Sequence, residues 1–158
     1  MTMVGRATYA STVSDARTRV RVGVAAVVRD QRGRILLERR RDCGLWGLPG
    51  GRIEPGESVA EAAMQEVREE SGHTVAVQGL LGVYSDPRGR IVTYPDNGDV
   101  AHLVDILIEA SVVSGMLLCS TESLDVQFFD PGALPSDLVP PAVAPLQDIL
   151  DGCVGAVR

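Results

Sequence analysis

Between Ser58 and Gly72 the sequence leaves the backbone little choice. Ser58 followed three residues later by Glu61 is a capping box, in which each side chain satisfies a backbone N–H of the other at a helix start. Gly72 stands where helices stop, because glycine accepts the left-handed conformation that ends them. One helix is therefore expected over Ser58–Ser71. At about 100° per residue, Glu66, Glu69 and Glu70 share an arc of about 100°. Ala60, Ala63, Met64 and Val67 gather on the neighbouring arc, which is expected to be the packing edge, separate from the acidic face.

The flanking segments are strand-like. Val20–Asp30 is rich in valine, Gln31–Arg34 is a turn, and Ile35–Arg40 is expected to pair back as the second strand of a hairpin. Leu45–Gly51 reads as a short extended segment ending in two glycines. Further strands are expected at His73–Ser85, Val100–Val113 and Leu124–Asp130, around a polar loop at Ser85–Asp99 with room for a short strand. Ala142–Gly152 is expected to form a closing helix, with Pro145 near its first turn. Strands, a helix, more strands and a last helix predict an α+β domain with a mixed sheet. We place a tail or edge element at 1–18, the domain at 19–152 and a C-terminal tail at 153–158.

Charge and cysteine content narrow the function. Fifteen Lys and Arg against 21 Asp and Glu give a net charge of −6, which opposes binding of extended nucleic acid. A small anionic ligand held locally is still compatible. The three cysteines, Cys43, Cys119 and Cys153, have no paired or metal-ligand spacing and suit a reducing, cytoplasmic setting. No stretch has the length and apolarity of a membrane span, and the first residues lack the apolar core of a signal peptide.

Three carboxylates on one helical face repel one another, so either water screens them or a cation sits among them. A bare acidic run is most often a solvated surface. Here the run follows "LPGGRIEPGE", a glycine-rich loop that lets backbone groups approach a ligand closely. Carboxylate oxygens of this kind suit hard cations such as Mg²⁺ and Mn²⁺.

Gly51, Glu57, Glu66, Val67, Glu69, Glu70 and Gly72 fall in register with the Nudix box, G-x5-E-x7-R-E-U-x-E-E-x-G-U, in which U is aliphatic. The chain thus resembles the Nudix (MutT-like) hydrolases from about Val20 to Leu150, and "WGLPGG" before the box is also typical of them. Two positions depart: Gln65 replaces the box arginine and His73 the final aliphatic residue. The resemblance implies an α/β/α sandwich with a glutamate-rich catalytic helix. It also implies Mg²⁺- or Mn²⁺-dependent hydrolysis of the diphosphate linkage in a nucleoside diphosphate derivative or nucleoside triphosphate.

Carried over by position, Glu66, Glu69 and Glu70 would ligate metal with the Gly50 carbonyl, and Glu66 or Glu69 would instead orient or deprotonate the water. Gly51, Glu57, Gln65 and Gly72 would support the motif. In several Nudix groups an acidic residue outside the box is the base, and Glu122 and Asp125 lie in the corresponding part of the chain. Arg39, with Arg40 and Arg41, is a candidate phosphate contact; Tyr84, Asp86 and Tyr94 are candidates for the rest of a small nucleotide. The resemblance is compatible with a homodimer. The alternative is a Nudix-fold nucleotide-binding or regulatory domain with little catalysis, which complete loss of the carboxylates would favour; all of them are present.

Hydrolysis is expected to stop in excess chelator and return with divalent cation. Glu69→Gln and Glu70→Gln should each lower kcat by orders of magnitude with the fold intact by circular dichroism. Near-normal rates in both variants would return the cluster to a solvated surface.

Overall fold

The computed structural model describes Thr8–Ala10, residues 17–94 and residues 97–158. Most of the expected tail at 1–18 lies outside those residues. The long parallel pair β2 (Arg19–Arg29) and β8 (Val100–Gly115) forms the spine, in unbroken register from Arg19↔Ala101 to Arg29↔Ser111. On the outer side of β8, β7 (Ile91–Thr93) and then β6 (His73–Tyr84) pair antiparallel, and β1 (Thr8–Ala10) continues the sheet beyond β7. Beyond β2 come β5 (Gly50–Arg52), β3 (Ile35–Arg40), β4 (Trp46–Gly47) and β9 (Ser123–Phe129).

Two helices cover the two faces. Strand periodicity sends Val24, Ala26 and Val28 of β2, Leu36 of β3 and Ile108 and Ala110 of β8 to one side, where they meet Ala62, Ala63 and Val67 of α1 (Val59–Ser71). Val27, Ile35, Leu37 and Leu107 face the other way, onto Ala142 and Leu146 of α2 (Pro140–Leu150). The result is the mixed sheet between helical layers expected from the sequence. Trp46 meets Phe129 edge to face at 4.9 Å and anchors the α2 side. Among the described residues, no helix is long and apolar enough to cross a membrane.

α1 forms as its caps dictate. Ser58 accepts from the Glu61 amide, the Glu61 carboxylate accepts from the Ser58 amide, and Gly72 ends the helix at φ 76°. The packing face differs from expectation. Ala62, Ala63, Val67, Glu70 and Ser71 are buried, whereas Met64 is exposed. With Glu66 set at zero, the buried arc of the helix runs from about −40° at Ala62 to about 140° at Ser71, with Glu70 near its middle. The acidic face and the packing face therefore overlap, and the overlap is what presses a carboxylate onto the sheet.

Two further differences concern the C-terminal region. α2 begins at Pro140, two residues before the expected start, because two consecutive prolines tolerate the first helical positions where N–H groups have no partner. Pro145 consequently lies in the second turn and, lacking an N–H, cannot bond the Pro141 carbonyl; Arg90 Nη2 donates to that oxygen instead, at 2.7 Å. Residues expected as a C-terminal tail include β10 (Ala156–Val157), which pairs in parallel with β6. The Arg158 guanidinium then bonds Asp148 of α2 at 2.8 and 3.2 Å, and Tyr84 donates its hydroxyl proton to the same carboxylate at 2.9 Å.

Gly50 makes a sharp test of the β2–β5 pairing. A Cβ there would overlap the Val24 carbonyl oxygen and lie 2.8 Å from the Ala25 Cα, backbone that cannot move without breaking the strand pair. Gly50→Ala is expected to cost about 1–3 kcal/mol, as overpacked sites do. In a thermal melt that is roughly 2–10 °C at this chain length. Gly79→Ala, with nothing within 4 Å of the added carbon, is the control. Equal melting temperatures for the two variants would contradict the packing described.

Candidate active site

A cleft of about 350 Å³ opens where β2, β5 and β8 meet the C-terminal half of α1 and the start of α2. Its acidic end holds Glu66, Glu70 and Glu122 beside Gly50 and Gly51. Each acid is placed by a different device. Glu66 projects from α1 against the Cα of Gly51, where any Cβ would collide with its carboxyl group. Glu70, one turn on and 9% exposed, accepts from the Gly50 amide at 2.9 Å. Glu122 enters from the turn before β9. Glycine at 50 and 51 thus allows the helix and the loop to touch, and the contact fixes two carboxylates.

Burial and like charge disturb these acids. Glu66 is pushed up to about 7, first by removal from water and then by the charges of Glu69, Glu122, Glu57 and Glu38. Burial likewise raises Glu70, reinforced by the neighbouring carboxyl of Glu38. Glu38 is the residue that sequence reasoning missed. It lies on β3, two residues beyond Leu36 and so on the α1 side of the sheet, 4% exposed, and its Oε2 has no hydrogen-bond partner. In "ILLERR" the acid ends a continuous apolar run, which marks a buried strand but not which face the acid takes.

The other candidates divide. Glu69 is exposed and accepts from the Gln65 amide nitrogen at 3.0 Å, so glutamine at the arginine position holds a box carboxylate through a neutral bond. Glu57 accepts from the Glu54 amide at 3.0 Å and ties the loop before α1. Tyr84 and Tyr94 line the cleft; Asp86 and Arg39 do not. Asp86 is held by Arg88, which keeps its carboxyl down at about 2, and Arg39 donates to the Gly44 carbonyl at 2.9 Å. Arg40 lines the cleft, while Arg41 bonds the carbonyls of Thr121 and Ser123. Asp125 accepts from its neighbour, the Val126 amide, at 2.8 Å and is absent from the cleft wall.

The far end of the cleft is cationic and aromatic. The Arg21 guanidinium sits 4.6 Å from the centre of the Tyr94 ring, and Arg52 lines the wall nearby. Arg90, buried, pairs with Asp105 and lies 5.4 Å from the Tyr84 ring centre. Arg21 and Arg90 lie outside the motif and Arg52 stands at one of its variable positions, so only their place along the cleft makes them visible.

A hard divalent cation fits the donor set at the acidic end. The donors are carboxylate oxygens of Glu66, Glu70 and Glu122, and behind Glu70 the Glu38 Oε2 is buried without a partner, which is the environment such an ion relieves. Among the described residues, no three acidic, histidine or cysteine side chains are drawn together as a ready-made cage. That spread is consistent with mutual repulsion of like charges.

The NUDIX domain family matches residues 19–150. A Bacillus subtilis protein named "Putative 8-oxo-dGTP diphosphatase" is 34% identical over 131 residues, 82% of this chain and 80% of that protein. The ADP-ribose pyrophosphatase of Methanocaldococcus jannaschii is 33% identical over 116 residues, 72% of this chain and 64% of its own. Among solved structures, a MutT NUDIX hydrolase from Burkholderia pseudomallei superposes with a TM-score of 0.65 at 28% identity, covering 83% of this chain and 98% of that one.

The raised Glu66 carboxyl makes a signed prediction for the metal-free protein. Below about pH 4.5 it is protonated in both folded and unfolded chains and has no effect on stability. From there to about 7 the unfolded chain gives up the proton first, so the fold loses stability as pH rises. With chelator present, the melting temperature of Glu66→Gln relative to the parent protein should therefore climb between about pH 4.5 and about pH 7 and level off above. Parallel curves would show that Glu66 is not under this strain.

Proposed function

The chain belongs to the Nudix family, and from that premise we propose that it is a divalent-cation-dependent hydrolase of the diphosphate linkage in small nucleotides. The observation that carries this reading is the polarity of one cleft. Glu66, Glu70 and Glu122 stand at one end with Arg40, Arg21 stacks on Tyr94 and Arg90 is paired with Asp105 elsewhere in the wall, and the volume of about 350 Å³ lies at the small end of the range for small-molecule sites. A nucleoside diphosphate derivative has the matching asymmetry, with an anionic diphosphate and a flat base.

Glu66, Glu69 and Glu70, with the Gly50 carbonyl, would hold Mg²⁺ or Mn²⁺, which supplies charge neutralisation at the phosphoryl oxygens and lowers the pKa of water. The chain's own residues do the rest. Gly50 and Gly51 bring the loop backbone against the helix, so that a diphosphate can lie close to the carboxylates. If Glu66 or Glu69 does not ligate the ion, its carboxylate would instead orient the attacking water or accept its proton. Water adds to one phosphorus, the bridging P–O bond breaks, and the bridging oxygen leaves on the other phosphate. Arg21, Arg52 and Tyr94 would receive the nucleoside end by charge and stacking.

The relatives' names, 8-oxo-dGTP and ADP-ribose among them, share the nucleoside diphosphate unit and differ in what is attached. We take that shared unit as the substrate class, free nucleotides in the cytoplasm as the setting, and a homodimer as compatible with the family. A product screen over nucleoside triphosphates, oxidised nucleotides, ADP-ribose, nucleotide sugars and dinucleoside polyphosphates tests this. Cleavage of one such class, dependent on Mg²⁺ or Mn²⁺, is expected. Gln65→Arg should raise kcat modestly or shift the pH optimum down, since a charged partner for Glu69 replaces a neutral one. Tight nucleotide binding without cleavage across the panel would instead identify a binding domain.

A further inference from the structure

We propose that Glu38, which lies on β3 outside the Nudix box, is itself a ligand of the divalent cation and completes the carboxylate set from the sheet side. The proposal rests on the reading of a cation-dependent site. Three observations converge on it. Alternation along β3 directs Glu38 with Leu36 toward α1, where its carboxyl group meets that of Glu70. The side chain is more than nine-tenths buried, and its Oε2 accepts no hydrogen bond. A second cavity, of about 290 Å³, is lined by Glu38, Glu70 and Glu122 together, so acids from the strand, the helix and the turn before β9 border one space, with the unpartnered oxygen buried at its wall.

Glu38 and Glu70 share a carboxyl–carboxylate hydrogen bond in a nearly dry site, so either a proton or a cation must stand between them. The Gly50 amide serves Glu70 and leaves Glu38 Oε2 unserved. Arg40, which also lines this cavity, directs Nε and Nη2 to Asp42 at 3.0 and 2.9 Å. A hydrophobic residue at position 38 would continue the pattern Ile35–Leu37 without this demand. A hard cation reached by oxygens from the strand, the helix and the turn before β9 satisfies it. Glu38 would then hold the ion against the sheet while Glu66 and Glu69 remain on the open side toward substrate.

The test is Mn²⁺ titration without nucleotide, followed by electron paramagnetic resonance of the free ion, with water-proton relaxation to report waters on the bound ion. Glu38→Gln should weaken Mn²⁺ binding by about tenfold or more, the scale at which supporting residues of metal sites already act. Any Mn²⁺ that does bind should carry an additional water in place of the lost oxygen. Glu54→Gln, an exposed residue paired with Arg52, should bind as the parent does. Glu38→Asp, which keeps the charge but withdraws it, should fall between, and serves alone if Glu38→Gln does not fold. Parent-like affinity and hydration in these Glu38 variants would overturn the proposal, as would a parent protein that binds no Mn²⁺. Mn²⁺ binding that depends on Glu38 without nucleotide cleavage would sink only the proposed hydrolase function.

Discussion

Carboxylates held together where water is scarce set the terms for everything else in this protein. Their mutual repulsion and lost hydration oppose the fold, and they persist only because packing fixes the helix that carries them. Ala62, Ala63 and Val67 bury α1 against β2, β3 and β8. That contact leaves Glu70 no route outward and brings its carboxyl group to the Gly50 amide and to Glu38. The two glycines of the preceding loop are the other half of the device, since a side chain at Gly51 would collide with Glu66 on the helix and one at Gly50 would collide with the backbone of β2.

The opposite end of the cleft obeys a different rule, in which backbone groups freed by proline recruit a cation. Pro145 cannot bond the Pro141 carbonyl, so Arg90 does, and from there it pairs with Asp105 and leans on Tyr84. Tyr84 in turn donates to Asp148, which Arg158 neutralises and holds well below the usual carboxylate range. The chain of contacts joins α2 and the C-terminal strand to the wall of the cleft. Substrate-facing geometry at this end therefore depends on residues far along the sequence from the motif.

The motif helix was legible because local chemistry decides it: the capping box, the glycine stop and the spacing of Glu57, Glu66, Glu69 and Glu70 all act within one turn or loop. The sandwich followed from strand periodicity and the resemblance. Rotation of α1 was not legible, because Ala60 and Met64 are as apolar as Ala62 and only the sheet surface chooses among them. Nor could Glu38 be singled out from a strand end bearing Arg39 and Arg40. Its role depends on which face of β3 the helix covers, a non-local fact. Asp86 and Arg39 looked available in sequence but are engaged by Arg88 and the Gly44 carbonyl.

The central claim is that carboxyl groups strained by burial and by one another are relieved by a divalent cation. Proton release on cation binding reads it most directly. Calorimetric titration of Mg²⁺ or Mn²⁺ near pH 7, repeated in buffers of different ionisation enthalpy, counts the protons displaced. The account predicts release of about one proton or more per bound ion, diminishing as pH is raised. Cation binding with no proton release at neutral pH would contradict it, because the carboxylates would then have been ionised and unstrained before the ion arrived.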